Sequence, residues 1–540
     1  MVLLLVAVAG LLLALPVVMV LGAWFGLDAA GWQQWRHLLG TVLPGYLAQS
    51  GLLALGVALG SLLLGGGAAA LVSLCRFPGR RFWDAALLLP MAMPAYVAAY
   101  AYTDALQPSG PIQSALRAEF GWRGALWGDV RSLPGAMLLF SACLYPYVYL
   151  LTRTALSERA APLMEAARLL GAGLWRRVHE VALPLARPAL VAGVALVLME
   201  TLADYGVGSY FGLNTLTTGI YKAWLVQGDR FGAAQLASVL LVVVTVCLML
   251  EQRAQAQMRF AGPRAQGRAE DSASNLRPLK GLLAWLANGL CALPVTLGFF
   301  LPVAWLARMA WQNAHASEEV LPWARYQDWA GASLKLALAA AALTVLLAWV
   351  LALAKRLRGG RTDWRSRVVA GVGRLLGLGY AVPGAVIAIG LMLPIAWLQQ
   401  RWPPAAPVFT GTVLALMWAF VVRFGGVALQ SIEAGYARIP GTLDESARML
   451  GASSLRLALE VHAPLLSRAT LAAALLVFVD VMKELPATLV LRPFDSDTLA
   501  VVAYQLARDE RLAEAAVPAL AIVVVGLMPV SLLWRAMRLR

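Results

Sequence analysis

Charge is scarce in this sequence: only 14% of its 540 residues are Asp, Glu, Lys or Arg, while 60% are hydrophobic. That excludes a water-soluble globule, because no core is large enough to hide so much apolar surface. Period-2 alternation is missing from the long apolar runs, which excludes a membrane β-barrel and leaves helices, the other structure that satisfies its own backbone in lipid. Cysteine is rare, and Cys75, Cys143, Cys247 and Cys291 form no CxxC or His-paired spacing, so neither a disulfide framework nor a redox motif is indicated. The four histidines, His37, His179, His315 and His462, are isolated in sequence and make no metal-ligand pattern. None of Lys222, Lys280, Lys335, Lys355 or Lys483 is followed by Ser or Thr, so there is no GxxxxGK[ST] phosphate loop. GVGRLLG at 371–377 has the wrong spacing for one, and its apolar setting suits helix packing. Without HExxH or GxSxG in the spans, no catalytic residue is assigned.

What is present is a series of apolar runs. Six fall at about 2–23, 47–75, 83–105, 133–152, 188–206 and 231–250, and six more at about 284–308, 332–354, 368–398, 411–430, 469–485 and 512–534. At roughly 20 apolar residues per crossing, this predicts an all-α polytopic membrane protein of about twelve spans. The first run has no basic n-region and is too long for a signal peptide, so it reads as an uncleaved span. The net charge of +15 collects in alternate short loops, at Arg80 and Arg81, at Arg159, Arg168, Arg176 and Arg177, and at Lys355, Arg356, Arg438 and Arg448. The positive-inside rule places those loops and both termini in the cytoplasm, so the charge calls for no nucleic-acid partner. The opposite loops carry Glu318, Glu319, Asp328, Asp495 and Asp497. Residues 1–251 and 284–540 form two six-span domains joined by a polar cytoplasmic linker at 252–283. Six crossings return the chain to its starting side, so the repeats are parallel.

One polar segment occurs twice. EAARLLGAGLWRRVHEVALP at 165–184 returns 280 residues later as ESARMLGASSLRLALEVHAP at 445–464. In the first copy Pro162 can open a helix, Gly171 or Gly173 can end it, and LWRRVHEVAL forms a second short helix ending near Pro184. Two short helices on a cytoplasmic face offer a knob to a soluble partner.

The spacing resembles the EAA loop of ABC importer permeases: EAA, three residues, Gly, nine residues, an aliphatic residue, one residue, then Leu-Pro. Glu165, Ala166, Ala167, Gly171, Val181, Leu183 and Pro184 meet every position, and Glu445, Ser446, Ala447, Gly451, Val461, Ala463 and Pro464 depart at Ser446 and Ala463. The resemblance implies a type I ABC importer permease of the bacterial inner membrane, with each loop acting as a coupling helix on a separate ATPase dimer. Glu165 and Glu445 would be the acidic contacts, and Gly171 and Gly451 the turns. ATP and Mg would be used by that partner, with no cofactor on this chain, and a periplasmic binding protein would deliver the substrate. Fused permeases with two such loops are typified by ferric-iron importers, and the segments at 203–224 and 483–506 resemble iron(III) permeases. Sulfate, thiamine and polyamine permeases resemble them less well and remain alternatives. An ion-gradient-driven transporter is a further rival, but inverted repeats would be its sign.

Ionisable groups within spans point to a pathway, because lipid penalises them unless they face partners or water. Glu200 and Asp204 match Asp480 and Glu484 at the same 280-residue offset, and paired carboxylates suit a hard cation. Lys483 is the expected neutraliser of Glu484 if these positions sit at the aqueous interface. Arg423 can pair with an acid or snorkel, and its offset counterpart is Cys143. Tyr96, Tyr100 and Tyr102, with Tyr145, Tyr147 and Tyr149, are read first as interfacial anchors and second as oxygen ligands for iron.

Overall fold

The computed structural model describes every residue except 1, 26–28, 158–160, 261–276, 317–322, 359–362, 404–407, 409–411, 495 and 539–540. Arg159, Glu318, Glu319, Asp495 and the centre of the 252–283 linker therefore lie outside the described residues. The described chain is all-α apart from a two-residue pairing of Cys75–Arg76 with Arg277–Pro278. It has ten helices long and apolar enough to cross a membrane, plus the bent pair Arg80–Ala92 and Ala95–Phe120 and the shorter apolar helix Val6–Gly22.

The chain folds as two compact units. One comprises Gly40–Gly219, Val242–Leu321 and Ala503–Arg540. At its centre Leu43–Leu74, Leu133–Ala155 and Trp175–Ala203 pack on one another. Small residues set their spacing: a side chain at Gly65 would meet the Tyr145 carbonyl at 2.6 Å, and one at Gly193 the Val148 Cα at 2.7 Å. The other unit comprises Met1–Leu39, Ile220–Leu241 and Pro322–Val502. Its central trio is Trp323–Leu357, Leu414–Tyr436 and Ser454–Met482, and the first helix of the chain packs on Trp364–Gly379 and Gly384–Arg401. Packing thus divides the chain differently from repetition, since each unit draws segments from both sequence halves.

The repeat is visible in single hydrogen bonds. Leu216 N donates to Ser50 Oγ at 2.9 Å in one unit, and Leu499 N donates to Ser333 Oγ at 2.8 Å in the other, each across 166 residues.

Two runs expected to be continuous are broken. The run at 83–105 turns by 91° ahead of Ala95, and the run at 368–398 stops at Gly379 and resumes at Gly384. Each restart is preceded by a proline, Pro94 or Pro383, in extended conformation. Proline supplies no amide hydrogen and pushes the residue before it out of the helical region, which ends the incoming helix. Pro184 does the opposite of what was expected. The loop's second helix runs on into Leu183–Ala203 through a π-helical stretch, Val178–Ala182, in which Leu183 N bonds the Val178 carbonyl. Pro184 falls in the first turn after that stretch, where a missing N–H costs little. Leu457–His462 and Pro464 repeat the arrangement.

Candidate functional site

The repeated loops are built alike. Ala161–Leu169 and Gly441–Met449 are short helices, each ended by a glycine at φ +81°. Around Gly171, Leu170 N bonds Ala166 O at 3.1 Å, Gly171 N bonds Arg168 O at 2.9 Å and Ala172 N bonds Ala167 O at 3.0 Å. Around Gly451 the same three bonds run from Leu450 to Ser446, Gly451 to Arg448 and Ala452 to Ala447 at the same distances. Left-handed backbone is where a side chain is disfavoured, so the Gly of the motif is a geometric requirement. Arg176 pairs with Glu180 and Arg456 with Glu460, both at 2.8 Å. Large apolar side chains stand exposed at matching places, Leu169, Leu170 and Trp175 on one loop and Met449, Leu450 and Leu455 on the other. Exposed apolar groups clustered on a polar turn mark a contact surface. Glu165 lies 3.8 Å from Arg168, and Glu445 helps line a groove of about 510 Å³ with Lys355, Arg356, Glu433, Asp444 and Arg448.

Beneath this common surface the two loops are held differently. The first rests on an apolar cluster of Leu156, Met164, Ala182 and Ala186. At the 280-residue offset the first three become Tyr436, Asp444 and His462. His462 is fully buried, with Nε2 3.1 Å from Asp444 Oδ1 and Nδ1 3.2 Å from the Tyr436 hydroxyl. Arg356 donates to Asp444 at 2.9 Å and 3.3 Å, and to the Ile439 and Pro440 carbonyls at 3.0 Å and 3.1 Å. Burial pushes the Asp444 carboxyl up, but its bonds from Arg356 and His462 outweigh this and hold it below the usual aspartate value. Sequence reading treated His462 as isolated. The signal it missed was three apolar positions turning ionisable or phenolic together at the repeat offset.

The four candidate pathway acids separate by copy. Glu484 is 3.6 Å from Arg423 and accepts from Ala487 N, Thr488 N and Thr488 Oγ1 at 2.9, 3.0 and 2.7 Å. Lys483 pairs with Asp480 at 2.9 Å, not with Glu484, because it follows Asp480 by one helical turn. The break at Pro383 serves this pair: a side chain at Gly384 would meet Glu484 Oε1 at 2.8 Å. Asp204 is likewise an N-terminal cap, accepting from Val207 N at 2.7 Å. Tyr205 follows it in the chain, and its charge reaches the buried Tyr100, which also lies among Tyr96 and Tyr210. Glu200 lies on the helix Leu183–Ala203, one turn before Asp204.

Four of the six tyrosines read as interfacial anchors are buried within helix packing, while Tyr102 and Tyr147 are half-buried. Tyr100, Tyr145 and Tyr149 are fully buried, and Tyr96 nearly so. Tyr149 donates to Asp84 at 2.8 Å, and Arg153 pairs with the same carboxylate. Tyr102 donates to the Leu297 carbonyl. An interfacial ring keeps its hydroxyl in water, whereas these are turned into helix contacts.

Residues 61–259 match the family described as binding-protein-dependent transport system inner membrane component. The molybdenum transport system permease protein ModB of Escherichia coli is 30% identical over 184 residues, 33% of this chain and 78% of that protein. The chain belongs to this family. It is a fused two-domain ABC permease, a multi-pass membrane transport subunit. The Fe(3+)-transport system permease protein FbpB 2 of Haemophilus influenzae is 25% identical over 498 residues, 90% of this chain and 89% of that protein. The likeness to ModB spans a third of this chain, and that to FbpB 2 spans nine-tenths of it.

Proposed function

We propose that this permease imports ferric iron handed to it by a periplasmic binding protein, and that a separate ATPase dimer docks on the two repeated loops. The single observation that carries the cargo reading is the likeness to an Fe(3+) permease along 90% of the chain, both repeats included. The docking reading is supported by the two matched turns at Gly171 and Gly451 with their exposed apolar side chains. Glu165, Ala166, Ala167, Gly171 and Pro184, with Glu445, Ser446, Ala447, Gly451 and Pro464, form the two joints. ATP and Mg belong to the partner, because the chain carries no phosphate loop. Both termini and the 252–283 linker lie on the cytoplasmic side, where the basic loops place them.

Closure of the ATPase dimer on ATP moves the loops, and each loop moves the span continuous with it, Trp175–Ala203 or Ser454–Met482. The two access states are close in free energy, so that ATP binding tips them. A molybdenum-like oxyanion is the second reading, favoured by the 30% identity to ModB over 184 residues. Uptake of radiolabelled ferric citrate by cells with and without the gene, in a strain lacking other iron importers, decides between them. Gene-dependent iron uptake with unchanged molybdate, sulfate and thiamine uptake is expected. Gene-dependent molybdate uptake with unchanged iron uptake would replace the cargo.

A further inference from the structure

Buried phenols gather near Asp204 in the unit that contains Gly40–Gly219 and Ala503–Arg540: Tyr205 follows it in the chain, and Tyr100 lies close enough to feel its charge. Tyr96 and Tyr100 lie one turn apart on Ala95–Leu106, with ring centroids 5.9 Å apart, and Tyr100 meets Tyr210 edge-on at 5.0 Å. Tyr504 lies 3.4 Å from Tyr205, hydroxyl to hydroxyl, and 2.8 Å from Ser209 Oγ. All five rings are buried. The Tyr100 hydroxyl has no hydrogen-bond partner among the described residues. Leaving such a group unsatisfied costs about 1–3 kcal/mol, so a buried orphan hydroxyl is kept where something else meets it.

We propose that Asp204 and the phenol oxygens of Tyr96, Tyr100, Tyr205, Tyr210 and Tyr504 form a binding site for a hard trivalent cation on its way through the permease. The identification of that cation as ferric iron rests on the cargo reading above. Anionic and phenolic oxygens suit hard cations. The Asp204 carboxylate, next to Tyr205 in the chain and near Tyr100, repels an oxyanion, so the same phenols do not make a molybdate site. Each phenol that ligates exchanges its O–H bond for an oxygen–metal bond and releases one proton to water. Arg131 lies 5.0 Å over the Tyr210 ring and pairs with the exposed Glu510 at 3.8 Å.

The site is not duplicated. With Pro94 aligned on Pro383, Tyr96 and Tyr100 correspond to Ala385 and Ile389. Tyr205 and Tyr210 correspond to Leu485 and Val490, and Asp204 to Glu484, which already holds Arg423. Of the proposed ligands only Tyr504 comes from the second repeat, so the site is built chiefly from the first, whose phenols at Tyr96, Tyr100, Tyr205 and Tyr210 have no phenolic counterparts in the second.

The test uses the purified full-length chain in lipid nanodiscs, titrated with ferric citrate and read by the visible tyrosinate-to-iron charge-transfer band. The band should appear in the wild type, be displaced by gallium(III) and be indifferent to molybdate. Tyr100→Phe and Tyr504→Phe should each weaken binding by about tenfold or more, equivalent to losing one ligand contact of ~1.4 kcal/mol. Tyr326→Phe, outside the group, should leave binding unchanged. Asp204→Asn is checked by monodisperse elution, because it also caps a helix. The absence of a band in the wild type, or a band unchanged in Tyr100→Phe and Tyr504→Phe, overturns the site. Gene-dependent iron uptake without such a band leaves the cargo reading standing and removes the site. A tyrosine-dependent band without iron uptake keeps the cation site and removes the cargo reading.

Discussion

Around Gly171 and Gly451 the backbone follows one path, with the same φ and the same three hydrogen bonds, while the ground beneath differs. The first loop sits on Leu156, Met164 and Ala182, and the second on Tyr436, Asp444 and His462 clamped by Arg356. The turn, its exposed apolar side chains and the π-helical passage into the span are shared, so these are the parts a common partner would require. The anchor is free to differ because its task is only to fix the loop on its own bundle. Apolar contact does this without geometry of its own. The ionic network does it through direction, at the cost of desolvating its charges. Removing one member of such a network takes away the charge partner of a half-buried guanidinium or a buried imidazole, whereas trimming an apolar contact leaves only a gap.

The largest expected effect is therefore in the second loop. Asp444→Met strands Arg356 and His462, and should destabilise the protein by on the order of 3 kcal/mol and abolish transport, read by thermal unfolding and uptake. In the first loop, Met164→Ala only opens space, and should cost roughly 2 kcal/mol while transport persists at reduced rate. If the two variants behave alike, the anchors do not differ as described. Gly171→Val and Gly451→Val force a β-branched residue into left-handed backbone at roughly 1–2 kcal/mol each. Because both glycines share φ +81°, the two losses should match within error, and transport should fall more than stability.

The exchange of anchors should be nearly silent. Arg356→Ser, Tyr436→Leu, Asp444→Met and His462→Ala together give the second loop the first loop's residues, taking Ser73 as the counterpart of Arg356. Stability should return to within about 1 kcal/mol of the wild type, since an apolar set replaces a buried ionic one at little net cost. A quadruple variant as damaged as Asp444→Met alone would show that the network does more than anchor. Smallest of all is the response to pH. The Asp444 carboxyl is held below its ordinary value, so its contribution is fully present above the unfolded aspartate value of about 3.9 and is lost as pH falls through the depressed one. Thermal stability should be flat in this term from pH 7 to pH 5 and fall below that as Asp444 is protonated.

Sequence reading reached the helical class, the series of apolar helices and the repeat, because lipid imposes apolar length and the motif fixes a turn only glycine adopts easily. It could not see the breaks at Pro94 and Pro383, which lie inside runs of uniform hydropathy. Nor could it see which acid meets which base. Lys483 is adjacent to Glu484 in sequence, yet the helix ends at Met482, so Lys483 turns back to Asp480 while Glu484, in the break before Pro486, meets Arg423 on a distant helix. The buried tyrosines were misread for a related reason: hydropathy places a ring near a span's end but does not say whether its hydroxyl meets water or another helix. The anchors were legible in principle, since Met164 against Asp444 and Ala182 against His462 appear when the two copies are aligned beyond the motif itself.

The most direct measurement is ATP-dependent ferric uptake in proteoliposomes holding the chain, its ATPase and its binding protein, compared between the wild type and the Gly171→Val/Gly451→Val double variant. The wild type should import iron only with ATP, and the double variant should fail to import it while the ATPase still hydrolyses ATP at its basal rate. Equal uptake by both proteins would contradict the role of the two loops, and wild-type uptake without ATP would contradict the ATP-driven account itself.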